Sequence, residues 1–432
     1  MSEKHTIIQV ALDFVDIHRA IKVASEAIEG GADWLEIGTP LIKSEGMNAI
    51  RRLREIFPDT MLVADMKTMD AGRVEMEMAA KAGANIAVVM GNAPGATIRE
   101  CVLAGKNYGI KVCADFMDTD AIDERIGIVE KCGVDYISIH TAIDDQMSGK
   151  TPFNVLRHIC ENAHTPVAVA GGINSENVVD AINAGAQIVI VGGYISKSEN
   201  ARDAANNIRQ AVKENRRIQT GFFKRVTRED VRNAFMKLST ANISDGRHRA
   251  KSIVGLYPVN PSIKLIGTAV TVRTYPGDWA KPVEAIDIAK EGDVIVIDAG
   301  GTGPAVWGEL ATHSAIQKKL SGLVVYGAVR DTAEMKQLNF PVYTKLVMPD
   351  AGEPKGLGEI NVPLNISGIQ IMPGDWIIGD EDGLMAVPQA ESEISVNYGM
   401  DCLEKENRIR KEILSEKSSL GRVTDLLKWE KK

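Results

Sequence analysis

The stretch Val63–Asp70, VADMKTMD, places Asp65, Lys67 and Asp70 in quick succession after an apolar run, Met61-Leu62-Val63-Ala64. Alternate side chains of a strand share a face, so a strand here points Asp65 and Lys67 the same way. Asp70 falls just beyond, where the strand gives way to a loop. Acids and a base at the end of a buried strand lose hydration energy unless they pair or hold a metal. A structural ion pair is one reading. A catalytic cluster is the stronger one, because similar chemistry recurs at the ends of neighbouring runs: Asp13, Glu36, Asp115 and His140. Glu36 and Asp65 would lie on adjacent strands, where two carboxylates could share one hard cation, Mg2+ or Mn2+. Such a cation together with Lys67 would stabilise an oxyanion forming on a substrate. His140 titrates near neutrality and could move a proton, although a lone histidine at a strand end is often structural. Asp13 would orient a hydroxyl or hold Lys67; equally, it could cap a helix before Ile17. Further on, Gly171-Gly172 and Gly192-Gly193 are each a tight turn if taken alone. Together, at consecutive strand ends, they let backbone N–H groups approach a phosphate, which implies a phosphorylated small substrate.

The elements that must position these residues repeat. Short β-rich runs cover Ile7–Leu12, Trp34–Gly38, Met61–Asp65, Ile86–Met90, Lys111–Phe116, Tyr136–His140, Pro166–Ala170 and Ile188–Val191. Helical patterns lie between them, and a last one runs from Ala201 to Arg216. Several end in Gly-Ala or Gly-Val, such as Gly83-Ala84 and Gly133-Val134, where glycine takes the left-handed cap before the next strand. Strands apolar on both faces imply a parallel sheet covered by helices. Repetition at a nearly even period predicts a closed (β/α)8 TIM barrel, with its chemistry at the C-terminal strand ends.

At 432 residues, 44% hydrophobic and 25% charged, the chain is too long for one usual domain. The net charge of −8 is spread over mixed acids and bases, with no basic stripe to suggest nucleic acid. The start, MSEKHTIIQVALD, shows no long apolar run or cleavage signal, and no stretch is long enough to span a membrane. The five cysteines are scattered, without metal-ligand spacing, and read as reduced thiols in a cytoplasmic protein. The charged segment Lys213–Lys224 breaks the repeat, so the expected domains are 1–217 and 218–432.

Beyond it a helix is predicted over Val226–Leu238, another opens at Thr240, and strands at Leu265–Thr274, Val294–Asp298, Gly322–Val329, Val342–Val347 and Trp376–Ile378. A long helix covers Ser392–Ser415. This reads as a mixed α/β domain, not a second barrel. Its informative stretch is Asp298–Asp331. A glycine-rich turn leads to Gly308-Glu309-Leu310 at a helix start, where free N–H groups make an anion site. Arg330 and Asp331 follow a buried strand; the arginine can clamp a carboxylate, and the acid can hold a cation through water. A surface ion pair is the alternative.

The segments ALD ending at Asp13, EIGTP from Glu36, DMKTMD from Asp65, IHTAID from Ile139, AGGI at Ala170–Ile173 and VGGYI at Val191–Ile195 resemble 3-hexulose-6-phosphate synthases. These belong to the orotidine-monophosphate-decarboxylase-like barrels, and the likeness covers about Met1 to Arg216. It implies a metal-dependent lyase of the aldolase type, with Glu36 and Asp65 as metal ligands. The reaction would be aldol addition of formaldehyde to ribulose 5-phosphate, as in the ribulose monophosphate pathway, and it would be reversible. His140 would move the proton on carbon. Lys67 and the metal would hold the resulting charge. Asp70 would reach a partner subunit's site, which implies a dimer. The sister keto-gulonate-phosphate decarboxylases place an arginine where Ile143 stands, so the synthase is favoured; Ala142 departs from the usual glycine.

From Thr227 onward, NISD, GTAVTV, WGELAT, GAVRD, GEINVPL and PGDWIIGDEDGLMAVP resemble the family of the regulator of ribonuclease activity A and the 4-hydroxy-4-methyl-2-oxoglutarate aldolases. The resemblance implies a swivelling β/β/α fold and ring-like oligomers, commonly trimers. By analogy with the aldolases, Arg330 would bind a pyruvate carboxylate, Asp331 would orient metal-bound water, and the Gly308–Leu310 amides would help. A 2-oxo acid aldolase or decarboxylase, or a protein-binding regulator of RNA decay, are both open readings of this half.

Overall fold

The computed structural model describes residues 6–117, 119, 121–227 and 230–424. The first eight strands are β1 (Ile7–Leu12), β2 (Trp34–Ile37), β3 (Met61–Thr68), β4 (Ile86–Met90), β5 (Lys111–Met117), β6 (Tyr136–His140), β7 (Val167–Ala170) and β8 (Ile188–Val191). They close a barrel in sequence order, with β1 pairing parallel to β8. The period of two along each strand separates two cores. One face carries Leu12, Leu35, Ile37, Leu62, Val89 and their neighbours into contact with the surrounding helices. The other fills the barrel interior with Trp34, Val63, Ile86, Val88, Cys113, Ala168 and Ile188. Two residues further along the same inner faces stand Glu36, Asp65 and Asp115, all buried. Strand alternation therefore lifts the acids directly above an apolar plug.

The helix Ile17–Glu29 is capped by Asp16, whose Oδ1 accepts the Arg19 N–H at 2.9 Å. That leaves Asp13 free of the capping role. β3 runs past Asp65 to Thr68, but its pairing with β4 shifts between Ala64 and Thr68. Lys67 sits in this irregularity with φ 45°, a conformation uncommon outside glycine.

The second set of strands is β9 (Tyr257–Pro258), β10 (Leu265–Thr274), β11 (Val294–Asp298), β12 (Gly322–Val329), β13 (Val342–Val347), β14 (Gly358–Ile360), β15 (Leu364–Ile366), β16 (Ile369–Ile371), β17 (Trp376–Asp380) and β18 (Gly383–Val387). The main sheet has the order β18-β17-β10-β11-β12-β13-β9, with β14 on β10, while β15 and β16 pair separately. β10 to β13 are parallel and apolar on both faces. Ile295, Ile297, Leu323 and Val325 enter one core, and Val294, Val296, Val324 and Tyr343 the other. This is the expected mixed α/β domain.

The domain limits differ from the expected single break at 217. The chain forms one compact unit from Met1–Arg225 with Glu404–Lys432, and another from Val226–Leu403. The long helix Ser392–Glu416 begins in the second unit, and its latter part belongs to the first. The reason is a buried charge. The Arg408 side chain is only 3% exposed and bonds Glu26 Oε2 at 2.9 Å, Glu412 Oε1 at 2.7 Å and the Ser198 carbonyl at 3.1 Å. A charged run looks like linker in sequence, yet a fully paired arginine can anchor a segment in a core. Among the described residues, no helix is long and apolar enough to cross a membrane.

Candidate active site

At the C-terminal end of the barrel, Lys67 Nζ lies 3.0 Å from Asp65 Oδ2 and 3.3 Å from Asp115 Oδ2. His140 Nδ1 is 3.2 Å from the same Asp115 oxygen. Thr39 Oγ1 donates to Asp65 Oδ2 at 2.7 Å, and Gln9 Nε2 donates to Glu36 Oε2 at 2.5 Å. One ammonium thus spans strands β3 and β5, from a lysine set in an irregular stretch of backbone.

Charge organises the cluster. Burial pushes the Glu36 carboxyl well above its ordinary range, and the neighbouring Asp65 and Asp13 push it further. Asp13 stands at the mouth, open to solvent by area, but packing around it and the charge of Asp65 still raise its carboxyl. Burial alone would favour neutral Lys67; Asp65 and Asp115 outweigh it and keep the ammonium charged. Burial would likewise raise Asp115, but His140 and Lys67 bring it down to about 2. Desolvation opposes protonation of His140, and the bond to Asp115 overcomes this, raising its pKa.

Of the expected site residues, Lys67, His140, Glu36, Asp65 and Asp13 converge here. Asp70 is exposed; its carboxylate accepts the Ala71 N–H at 2.7 Å, and no described contact joins it to the cluster. Gly171 and Gly172 follow β7 with φ of 107° and 70°. Gly192 and Gly193 follow β8, and a Cβ on Gly192 would lie 3.6 Å from Asp13 Oδ2, so this glycine pair borders the acid cluster. Asp115 was legible as a polar strand end, but its bridging role was not. Gln9 and Thr39 were missed, although a glutamine in the middle of the apolar run IIQVAL is a visible signal.

Among the described residues, no group of three or more His, Cys, Asp or Glu is placed to hold a metal ion. The donor set nonetheless suits Mg2+, which binds through one or two carboxylates and keeps water or substrate oxygens in its remaining positions. Burial and the neighbouring Asp65 oppose ionisation of Glu36, and a cation between the two carboxyls would favour it.

In the second unit four of the five expected residues, Gly308, Glu309, Arg330 and Asp331, also meet. Gly308 caps the helix Glu309–Gln317, and its backbone runs close to the end of β12: the Arg330 N–H donates to the Trp307 carbonyl at 3.0 Å. A Cβ on Gly308 would lie 2.5 Å from Asp331 Oδ2, so a side chain there would displace that carboxylate. The Glu309 N–H donates to Asp331 Oδ2 at 3.2 Å, and Arg330 Nε is 3.6 Å from the same oxygen. The helix-start amide expected to be free for an anion is therefore held by the protein's own carboxylate. Leu310, the fifth, is 80% exposed, and no described hydrogen bond joins it to Arg330 or Asp331.

A family model described as Orotidine 5'-phosphate decarboxylase / HUMPS family matches residues 6–208, and one described as RraA-like, Aldolase/RraA, matches residues 240–386. The 3-hexulose-6-phosphate synthase of Bacillus subtilis is 36% identical over 208 residues, which are 48% of this chain and 98% of that relative. The synthase of Methylomonas aminofaciens is 37% identical over 201 residues, 46% of this chain and 96% of its own length. The solved 3-hexulose-6-phosphate synthase of Salmonella typhimurium is 32% identical, with 48% of this chain and 99% of that one covered and a TM-score of 0.47. Through residues 6–208 the chain belongs to the Orotidine 5'-phosphate decarboxylase / HUMPS family, among lyases of the 3-hexulose-6-phosphate synthase kind, and it carries an RraA-like domain in the same polypeptide.

Proposed function

We propose that the barrel joins formaldehyde to ribulose 5-phosphate, giving 3-hexulose 6-phosphate, and runs the reverse reaction through the same transition state. The observation that carries this reading is the Lys67 ammonium bridging Asp65 and Asp115, with His140 hydrogen-bonded to that same Asp115. Asp115 fixes Nδ1 and leaves Nε2 of His140 to take the proton from C1 of the ketose. Electron density left at C1 spreads to the adjacent oxygen, where the Lys67 ammonium stabilises it in a water-poor setting. As the C2 carbonyl re-forms, C1 bonds to the formaldehyde carbon, the C=O electron pair of formaldehyde moves onto its own oxygen, and that oxygen receives the proton from His140. Asp115 Oδ1 is buried without a hydrogen-bond partner among the described residues, which suits a substrate hydroxyl. Asp13 orients a second hydroxyl. The amides of Gly171, Gly172, Gly192 and Gly193 bind the phosphate. A divalent cation, Mg2+ or Mn2+, on Glu36 and Asp65 would polarise the ketose oxygens. Asp70 serves a partner subunit's site in a dimer.

The test is an assay of the whole protein with ribulose 5-phosphate, formaldehyde and Mg2+, with and without chelator. Chelator-sensitive loss of formaldehyde with formation of a hexulose phosphate supports the reading. No consumption of formaldehyde, or turnover indifferent to chelator, overturns it.

For the second unit we propose metal-dependent cleavage of a 2-oxo acid, with Arg330 clamping the carboxylate. The support is the meeting of Arg330, Asp331 and the Glu309 amide at one point. Cleavage of 4-hydroxy-4-methyl-2-oxoglutarate or oxaloacetate by the whole protein is the readout. Inactivity on every 2-oxo acid, with binding to a ribonuclease, would instead make this half a regulator.

A further inference from the structure

The segment after the last barrel helix is built into the two loops that follow β7 and β8. Ser175 Oγ donates to the Ile218 carbonyl at 2.8 Å, and the Ile218 N–H donates to the Ser175 carbonyl at 3.0 Å. Asn174 Nδ2 donates to the Phe223 carbonyl at 3.4 Å. The Phe223 side chain lies directly on Gly193: a Cβ on that glycine would come within 2.3 Å of Phe223 Cε2. Phe223 is 5% exposed and holds φ 55°. A bulky residue in the left-handed region persists only where its surroundings over-determine it.

Those surroundings include the returning end of the chain. Glu404 Oε1 accepts the Phe223 N–H at 2.7 Å, and its other oxygen is 3.7 Å from Arg225 Nη1. The Arg225 guanidinium in turn lies 4.3 Å from the centre of the Phe223 ring. The family match ends at residue 208, and the Bacillus subtilis relative is covered over 98% of its length by a match of 208 residues. This wedge lies beyond the residues that the family model matches.

We propose that Phe223, clamped by Glu404 and Arg225, is a positioning residue for the barrel's phosphate-binding corner. It sets the backbone of Gly193 and, through the 218–223 segment, the loop after Gly171-Gly172. This rests on the reading that these glycines bind the substrate phosphate. Substrate grip in this chain then depends on sequence outside the eight repeats, from both edges of the region Val226–Leu403.

The experiment uses the full chain with Phe223→Ala and Glu404→Gln, thermal unfolding being recorded for each. Phe223→Ala should raise KM for ribulose 5-phosphate about tenfold and leave kcat within about twofold, as expected when binding common to ground and transition states is lost. Competition by inorganic phosphate should weaken in parallel, while KM for formaldehyde stays put. Glu404→Gln keeps the ring in place and should give a smaller shift of the same kind; it carries the test if Phe223→Ala does not fold. Phe223→Tyr should restore the wild-type KM. Folded variants with unchanged KM for ribulose 5-phosphate and unchanged phosphate competition overturn the proposal, as does a fall in kcat with KM unmoved. Should wild-type protein bind neither ribulose 5-phosphate nor inorganic phosphate, the phosphate reading fails and takes this inference with it. Wild-type binding that survives in both variants defeats the inference alone.

Discussion

His140 Nδ1 stands 3.2 Å from Asp115 Oδ2, and this single contact ties the proton-moving group to the oxygen that also holds Lys67. Its consequences for pH follow from sign. The folded-state pKa of His140 is raised above its ordinary 6.5, so a reaction needing neutral imidazole loses rate as pH falls through that raised value. Asp115→Asn removes the anion that raises it. The acid limb of the kcat/KM profile should therefore move to lower pH, even as the plateau falls. An acid limb that stays in place removes His140 from the proton transfer.

The same pair governs stability in opposite windows. The raised His140 stabilises the fold fully below its ordinary pKa, and this contribution is lost as pH climbs through the raised one. Asp115, brought down to about 2, contributes fully above 3.8, and that contribution disappears as pH drops toward about 2. Midpoints of thermal unfolding across pH, in wild type and Asp115→Asn, check both: the variant's curve should be flatter on each side.

Replacing Asp65 by Ala should abolish barrel turnover, on the order of 10³-fold or more, because a metal-held charge is worth several kcal/mol. The Glu36→Gln variant should also lose turnover, yet unfold no earlier than wild type, since it removes a buried carboxyl whose ionisation burial, Asp65 and Asp13 already oppose. Calorimetric titration with Mg2+ should show weakened binding in both. Undiminished Mg2+ affinity in either variant refutes the ligand assignment.

In the second unit, Arg330→Ala should slow 2-oxo acid cleavage on the order of 100-fold, the usual cost of one donor to a developing anion. It should leave formaldehyde consumption untouched. Arg330 is half exposed and packs little, so unfolding should not shift. An unchanged cleavage rate takes it out of the site.

Arg408→Met tests the anchoring of the returning helix. Glu412 is buried beside it, and truncating one partner of a buried ion pair costs about 3–5 kcal/mol. The barrel's unfolding midpoint should fall by several degrees, while 2-oxo acid cleavage at low temperature persists. An unmoved midpoint would mean that Glu26 and Glu412 find water instead.

What could be read in the sequence was whatever depends on local period. Alternation along each run, broken by glycine caps such as Gly83 and Gly133, specifies strand then helix, and eight repeats leave closure as the way to bury every strand. Polar residues at the C-terminal strand ends, Glu36, Asp65, Asp115 and His140, were visible for the same reason. Tertiary structure alone decided the partners. Lys67 meets Asp115 across 48 residues of chain because closure of the barrel sets the inner faces of β3 and β5 around one mouth. The Glu309 amide, apparently free at a helix start, is taken by Asp331 from the far side of a strand. Residues 218–225 and 404–416, polar enough to pass for linker and tail, pack on the barrel through Phe223 and Arg408. Periodicity records which face of an element is buried; which distant surface buries it is settled only when the folded chain brings the two together.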